Sequence, residues 1–320
     1  MAILQFDRDY ALYLGWYDTP TAPEAWGLLE KPPQQKGILV KDLQIEFDVN
    51  KVLSNQQSPS VSKIRIFNLT VEQTSALSDF HCSVRLLVGY KGANNMAELC
   101  LGNALLVKTV MQGADRVTEL TLSDSHAIMN SASIVSTIPA GKTIEDVIVH
   151  LMEKSGLKKG VFEGKALKTK VLYGYPIEGT PKQILDEIAA SYRLDYTVER
   201  GTLSIRDKGQ HLFYDKTKAF VFNEDTGLRE IPSAEEWGEG SRKIAGEKKK
   251  RKVRVEGISI KALLNPAVVP GSVIELRRPE AQVDEVPNDF YVVREASYKG
   301  SFFGSTWDMD LRCDRIGAYQ

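Results

Sequence analysis

The sequence predicts a mainly β protein with an α+β insertion, built as two strand-rich parts around a small mixed unit. Three observations lead there. Apolar and polar residues alternate with period two in short runs over the first and last thirds, the pattern of half-buried strands. Helical spacing with helix-capping residues is confined to the middle third. The strand pattern of the first third also returns in the last at one fixed shift.

In the first third, Leu43, Ile45, Phe47 and Val49 alternate with Gln44, Glu46 and Asp48. Ser62 to Ile66 alternates in the same way, and Val84 to Tyr90 is an apolar strand that ends near Gly92. Ala104 to Val110 and Val117 to Leu122 follow, divided by the turn-forming Gln112-Gly-Ala-Asp115. One short helix is expected over Val71 to Ser78, behind Thr70. Short strands at regular spacing indicate an antiparallel barrel or sandwich.

The middle differs. Thr143 can cap a helix with an acidic first turn, and Ile144, Val147, Ile148 and Leu151 give it one apolar face. Thr180, Pro181 and Gln183 mark a second helix start, with Ile184, Leu185, Ile188 and Ala189 as its stripe. Arg200-Gly201 reads as a tight turn between strands Leu194 to Glu199 and Thr202 to Arg206.

In the last third, strands are expected at Val253 to Val255, Ser272 to Leu276, Phe290 to Ala296 and Thr306 to Arg312. Before them runs the polar stretch Ser233 to Lys252, which has few residues able to build a core and reads as a mobile loop. A single shift of 189 residues superposes Val84 on Val273 and Leu122 on Leu311, which suggests that the strand-rich unit is duplicated. The expected division is 1–135, 136–212 and 213–320, the last including the charged loop 233–252.

Composition narrows the function. With 41 Lys and Arg against 42 Asp and Glu, the net charge of −1 excludes a uniformly basic nucleic-acid binder. No apolar run approaches the roughly 18 residues needed to cross a bilayer, and no secretion signal is visible at Met1 to Tyr10. Three dispersed cysteines, Cys82, Cys100 and Cys313, make a disulfide framework unexpected.

Motifs with chemistry mostly dissolve. Ala140-Gly-Lys-Thr143 ends like a phosphate-binding loop, but Ser136 stands where the required earlier glycine would be and Pro139 removes an N–H; the reading is a turn and a helix cap. Gly160 to Lys165 and Gly238-Glu-Gly240 have the wrong spacing or context for nucleotide loops. Asp124-Ser125-His126 holds the residue types of a hydrolytic triad, but sequence neighbours rarely converge in that geometry, so Asp124 reads as a helix cap. His81-Cys82 lacks a second ligand pair, and neither C-x-x-C nor H-x-x-x-H occurs. His150 and His211 are isolated, and Asn68-Leu-Thr70 reads as a turn. No catalytic, cofactor-binding or metal residues are assigned. The expected site is a protein-contact loop of Glu235, Glu236, Trp237, Lys248, Lys249, Lys250, Arg251 and Lys252.

Several stretches carry a family resemblance. Ile64-Arg-Ile-Phe-Asn-Leu-Thr70 followed by Val84-Arg-Leu-Leu-Val-Gly-Tyr90 resembles the N-terminal part of contractile-tail phage baseplate hub proteins, the late control protein D-like family related to type VI secretion spikes. Leu263 to Leu276, Tyr291-Val-Val-Arg294, Tyr298-Lys-Gly300 and Trp307-Asp-Met-Asp-Leu311 are similar as well. The resemblance implies two tube-type β-barrel domains flanking a small α+β domain, and a homotrimer whose six barrels pair edge to edge around a lumen. It implies a structural hub without turnover, joining a sixfold tail tube to a threefold central spike and letting DNA pass. The implied partners are the tail tube, central spike, baseplate wedge and tape measure proteins; no cofactor is implied, and the location is the virion. Trp16 to Lys36 and Ser233 to Lys252 are longer than the family pattern. Two other classes remain open: a cell-wall hydrolase with an unrecognised carboxylate pair, and an OB-like nucleic-acid binder. The latter would need exposed aromatics, whereas Phe47, Phe67 and Trp307 read as core.

Overall fold

The computed structural model describes residues 7–17, 35–52, 61–79, 82–123, 133–199, 202–207, 216–235, 257–279 and 286–316. The first part holds β1 (Arg8–Tyr17), β2 (Gln35–Val40), β3 (Ile45–Val52), β4 (Val61–Phe67), α1 (Val71–Asp79), β5 (Cys82–Tyr90), β6 (Ala97–Gln112) and β7 (Asp115–Ser123). The middle holds β8 (Ile134–Ile138), α2 (Ile144–Ser155), β9 (Lys158–Glu163), β10 (Tyr175–Gly179), α3 (Pro181–Tyr192), β11 (Leu194–Glu199) and β12 (Thr202–Asp207). The last part holds β13 (Phe220–Phe222), β14 (Ser233–Glu235), β15 (Gly257–Leu263), β16 (Val273–Leu276), β17 (Phe290–Ser301) and β18 (Trp307–Arg315). The expected class, mainly β with an α+β insertion, is the observed one.

Both strand-rich parts lie in one 13-stranded sheet, ordered β14-β15-β18-β17-β3-β4-β7-β6-β5-β1-β2, with β16 added to β17 and β13 to β16. Within it the first part reads β3-β4-β7-β6-β5-β1 and the last part reads β14-β15-β18-β17-β16-β13. The two orders are the same order. Register agrees too: Ala104 faces Leu122 where Ala296 faces Leu311, and β6 and β17 each carry a register shift near that point. The parts differ in places: β2, paired with β1, has no counterpart beside β13 among the described residues. β1 runs antiparallel to β5, whereas β13 runs parallel to β16. The link occupied by α1 in the first part is made of turns between Leu264 and Ser272 in the last.

Burial follows the alternation. Ile45, Phe47, Val49, Ile64, Ile66, Ile260, Ala262, Met309 and Leu311 all point into a single core shared by the two parts. The middle unit has its own core, built from α2, α3 and the strands around them. Both capping predictions hold: Thr143 and Asp146 close a capping box on α2, and Thr180 and Gln183 close one on α3, where Pro181 occupies the first turn.

Several strands were not legible in the sequence. In β1, the positions between the buried Tyr10, Leu12, Leu14 and Trp16 are Ala11, Tyr13 and Gly15, so the outward face is apolar and hides the period. β15 starts at Gly257, beyond the expected strand at 253–255, which lies outside the described residues. The start of the expected mobile loop is corrected: Ser233–Glu235 is β14, held by antiparallel pairing with Ser259, Ile258 and Gly257 rather than by apolar burial.

Replacing Thr180 by Ala removes the oxygen that accepts from the Gln183 N–H at 3.3 Å. A urea titration followed by circular dichroism is expected to show the middle unit destabilised by about 1 kcal/mol.

Candidate functional site

The side of the sheet opposite the core is charged, and register decides how the charges meet. Lys108 lies opposite Glu119, Glu119 opposite Arg65, and Arg65 opposite Glu46. A second row runs Lys63, Asp48, Lys299, Asp308. Farther along, Asp310 faces Lys261 and Arg312 faces Glu295. These twelve side chains comprise six cations and six carboxylates, alternating in sign from strand to strand. Opposite charges directly across a strand pair are favourable, and like charges there are unfavourable. Arg65 reaches Glu46 at 2.5 Å and Gln112 at 2.7 Å, Lys261 reaches Glu230 at 2.7 Å, and Arg312 reaches Glu295 at 3.1 Å. Such solvent-exposed pairs contribute only about 0–1 kcal/mol each. Their larger effect is electrostatic: these twelve charges cancel one another and alternate in sign along the rows.

A seam crosses this face where β17 pairs with β3, from Glu295 opposite Val52 to Ser301 opposite Glu46. An open cleft of about 330 Å³ lies on the seam, lined by Asp48, Lys63, Arg65 and Lys299 among others. Beneath it, Phe47 meets Trp307 edge-on at 5.2 Å between ring centres. Gly300 packs directly against the Phe47 ring, so closely that a methyl group there would enter the ring.

The β17–β18 turn is clasped by the first part of the chain. The Arg8 guanidinium donates to the carbonyls of Ser301 (3.1 Å), Gly304 (2.6 Å) and Ser305 (2.9 Å), and sits 5.5 Å from the Trp307 ring centre. Gln44 donates to Ser301 Oγ at 2.8 Å, and its Oε1 accepts from the Phe303 N–H at 2.8 Å. The Phe302 N–H donates to the Ile45 carbonyl at 3.0 Å, and Tyr10 meets the Phe302 ring edge-on at 4.8 Å. The Tyr10 hydroxyl donates to the Leu43 carbonyl at 2.7 Å and accepts from the Leu43 N–H at 2.9 Å. Burial pushes the Tyr10 phenol up to about 12, and does the same for Tyr90 and Tyr291.

Most of the expected contact loop falls outside this arrangement. Glu235 closes β14 opposite Gly257. Glu236, Trp237, Lys248, Lys249, Lys250, Arg251 and Lys252 lie outside the described residues, as do Asp124, Ser125, His126, His81 and His211. The turn at Gly141 is a turn and cap: its N–H donates to the Val171 carbonyl at 2.7 Å, and the Asp146 N–H goes to Thr143 Oγ1 at 3.2 Å, so neither faces a phosphate. His150 Nε2 lies 2.9 Å from Ser136 Oγ. Asn68 takes a left-handed turn (φ 61°); its side-chain amide donates to Asp115 and its Oδ1 accepts from the Arg116 N–H. Phe47 and Trp307 are core as expected, whereas Phe67 is half-buried and lies under the Arg65 guanidinium at 5.6 Å. Among the described residues no group of three or more His, Cys, Asp or Glu could hold a metal ion.

The charged rows were half visible in the sequence, since Glu46 and Asp48 occupy the polar positions of a readable strand. What the sequence withheld was which strand lies beside which, and therefore that the rows are neutral.

The fold recurs in solved structures. A tail protein from Neisseria meningitidis MC58 superposes with a TM-score of 0.59, at 13% identity over 98% of each chain. The chain has the fold of phage tail proteins. The 43 kDa tail protein of prophage MuSo2 from Shewanella oneidensis matches it at 0.58, with 9% identity over 97% of this chain and 98% of that one. An Escherichia coli component of the type VI secretion system, described as structurally similar to bacteriophage T4 tail proteins, matches at 0.53, with 10% identity over 86% of this chain and 74% of that one. These neighbours of the tail-protein fold are the kinds of protein that the sequence resemblance implied. No family model matches the chain, and no match was found among curated sequences.

Two measurements probe the seam. Gly300→Ala is expected to lower stability by about 1–3 kcal/mol through overpacking against Phe47, read as a shifted urea midpoint. For Tyr10, Tyr90 and Tyr291 the folded value is about 12 and the unfolded one 10.0, so the neutral phenols stabilise the fold fully below pH 10 and lose that contribution as pH rises towards 12. The melting temperature is expected to fall across that window, and less steeply in Tyr10→Phe.

Proposed function

We propose that the chain is a structural hub of a contractile tail, working without turnover. Three copies close into a ring that continues a sixfold tail tube on one side and seats a threefold spike on the other. The observation that carries this reading is the repeated strand order within one continuous sheet. A chain with the same unit twice presents two equivalent walls, and three such chains present six.

The dimensions suit a channel. Eight strands of each chain, β14, β15, β18, β17, β3, β4, β7 and β6, run side by side, so three copies supply 24. At about 4.8 Å per strand such a barrel is roughly 37 Å across between backbones before strand tilt is counted. Barrels of fewer strands already enclose aqueous channels. The neutral charged face forms the inner wall. A wall without net field neither concentrates nor repels a polyanion, which is what passage of DNA without binding requires.

The rest of the reading follows the family resemblance and the fold shared with phage tail proteins. The chain divides into tube-type units at 1–135 and 213–320 around an α+β unit at 136–212. Glu235, Glu236, Trp237 and the run Lys248 to Lys252 make an outward protein contact, away from the lumen, to baseplate wedge partners. The assembled location is the virion tail.

Light scattering of the purified chain, alone and mixed with its cognate tube protein, is expected to give three times the chain mass in at least the mixture. A single-chain mass in both would overturn the ring. The same preparation is expected to leave peptidoglycan intact in a zymogram and duplex DNA unshifted at low salt; cleared peptidoglycan would favour a wall hydrolase, and a salt-sensitive shift a nucleic-acid binder.

A further inference from the structure

The three most exposed large apolar side chains among the described residues all belong to the middle unit: Tyr173 is 82% exposed, Leu172 79% and Val135 77%. Single apolar residues scattered over a surface need no explanation. These are not scattered. Leu172 and Tyr173 are consecutive, at the bend that leads into β10, and Val135 lies on β8, the strand paired with β10. The bend is anchored at both ends. Val171, just before it, is buried; its N–H donates to the Lys142 carbonyl at 2.8 Å, and its carbonyl accepts from the Gly141 N–H at 2.7 Å. Just after it, Tyr175 opposite Ile138 opens the β10–β8 ladder. A fixed backbone therefore holds two large apolar groups out in water.

The charges around the bend have one sign. From Gly164 to Ile177 the chain carries three lysines and no carboxylate. Lys168 and Lys170 are exposed, as is Lys142 on the facing segment, where Thr143 bridges to Lys170. Among the described residues none of these three lysines forms an ion pair, whereas Lys159 and Lys182 of the same unit do, at 2.6 Å each. The carboxylates beside Lys142 are engaged. Asp146 accepts from the Thr143 N–H at 2.8 Å and from its hydroxyl at 2.9 Å, and Glu145 accepts from Lys159.

We infer that the middle unit carries a lipid-contact site: Leu172 and Tyr173 enter an anionic membrane surface while Lys142, Lys168 and Lys170 face its phosphates. A bilayer surface uses every part of this patch. Apolar side chains enter the boundary between headgroups and acyl chains, an aromatic ring with a polar tip suits that depth, and lysines meet the lipid phosphates. Other occupants use less of it. A stable protein contact takes roughly 800 Å² from each partner, and lysine is depleted at such contacts; two apolar side chains ringed by lysines fall short of that. A nucleic acid would use the lysines and gain nothing from Leu172. The site goes beyond the hub reading, which assigns no contact to the middle unit.

The test is flotation of the full-length chain with vesicles of phosphatidylcholine, either alone or with about one third phosphatidylglycerol. Binding is expected to the anionic vesicles only, and it is expected to fall as salt is raised. Lys168→Gln combined with Lys170→Gln is expected to weaken binding about twentyfold, at about fivefold per lysine. Leu172→Ser combined with Tyr173→Ser is expected to weaken it about tenfold or more. These positions are all exposed, so the urea midpoints are expected to stay at the wild-type value. Lys91→Gln, which removes an exposed lysine of the first part, is expected to leave binding unchanged. In Tyr173→Trp, brominated lipid in the anionic vesicles is expected to quench emission beyond the quenching seen in the wild-type chain. Failure to bind the anionic vesicles overturns the lipid site. So does binding that survives both double variants, as it would if the run Lys248 to Lys252 carried it. Binding that the lysine variant abolishes and the Leu172→Ser, Tyr173→Ser variant leaves intact overturns insertion and marks a phosphate-binding surface instead. None of these readings depends on the mass of the assembly, so the ring stands or falls on its own measurement.

Discussion

The pairing of β17 with β3 is the contact on which the rest of the sheet depends. It joins residues about 250 positions apart in sequence and turns two strand-rich parts into one surface. Everything around it serves that join. Gly300 lets β17 lie against Phe47, Trp307 backs the ring, and Arg8 holds three carbonyls of the adjoining turn. Pairing at such long range carries a large loop-closure entropy and forms slowly unless each side is already ordered. The intervening unit has a core of its own, with buried residues from Ile138 to Ile205 and Ile134 packed against them.

The same join decides the electrostatics. Each strand on its own carries a polar face of mixed or single sign: β3 offers two carboxylates, β4 two cations, β18 two carboxylates and a cation. Only their order across the sheet converts these into alternating rows. A different strand order with the same sequences would gather like charges into bands and raise a field along the face. Alternation in sign is therefore a property of the tertiary arrangement, and it keeps like charges from gathering into bands along the face.

Duplication explains why the two halves tolerate differences at their outer strands. The shared order covers the strands from β3 to β6 and from β14 to β17, and the divergences, β2, the direction of β13 and the turns in place of α1, sit away from them.

Alternation, caps and turns along the chain were enough to place β3, β4, β5, β7, α2, α3 and the β11–β12 hairpin, because those signals are local. The repeat was also legible, since two strand patterns at one shift need no contacts to be seen. β1 escaped because both of its faces are apolar, and β14 because backbone pairing alone makes it a strand. The sequence likewise named the charged residues of the candidate site without revealing their arrangement. Register and strand order are set by contacts between distant segments, and the composition of one strand carries no record of its neighbours. Those contacts alone set the charges in alternation, placed the seam at Gly300 and, among the described residues, left part of one edge of β6 without a neighbouring strand.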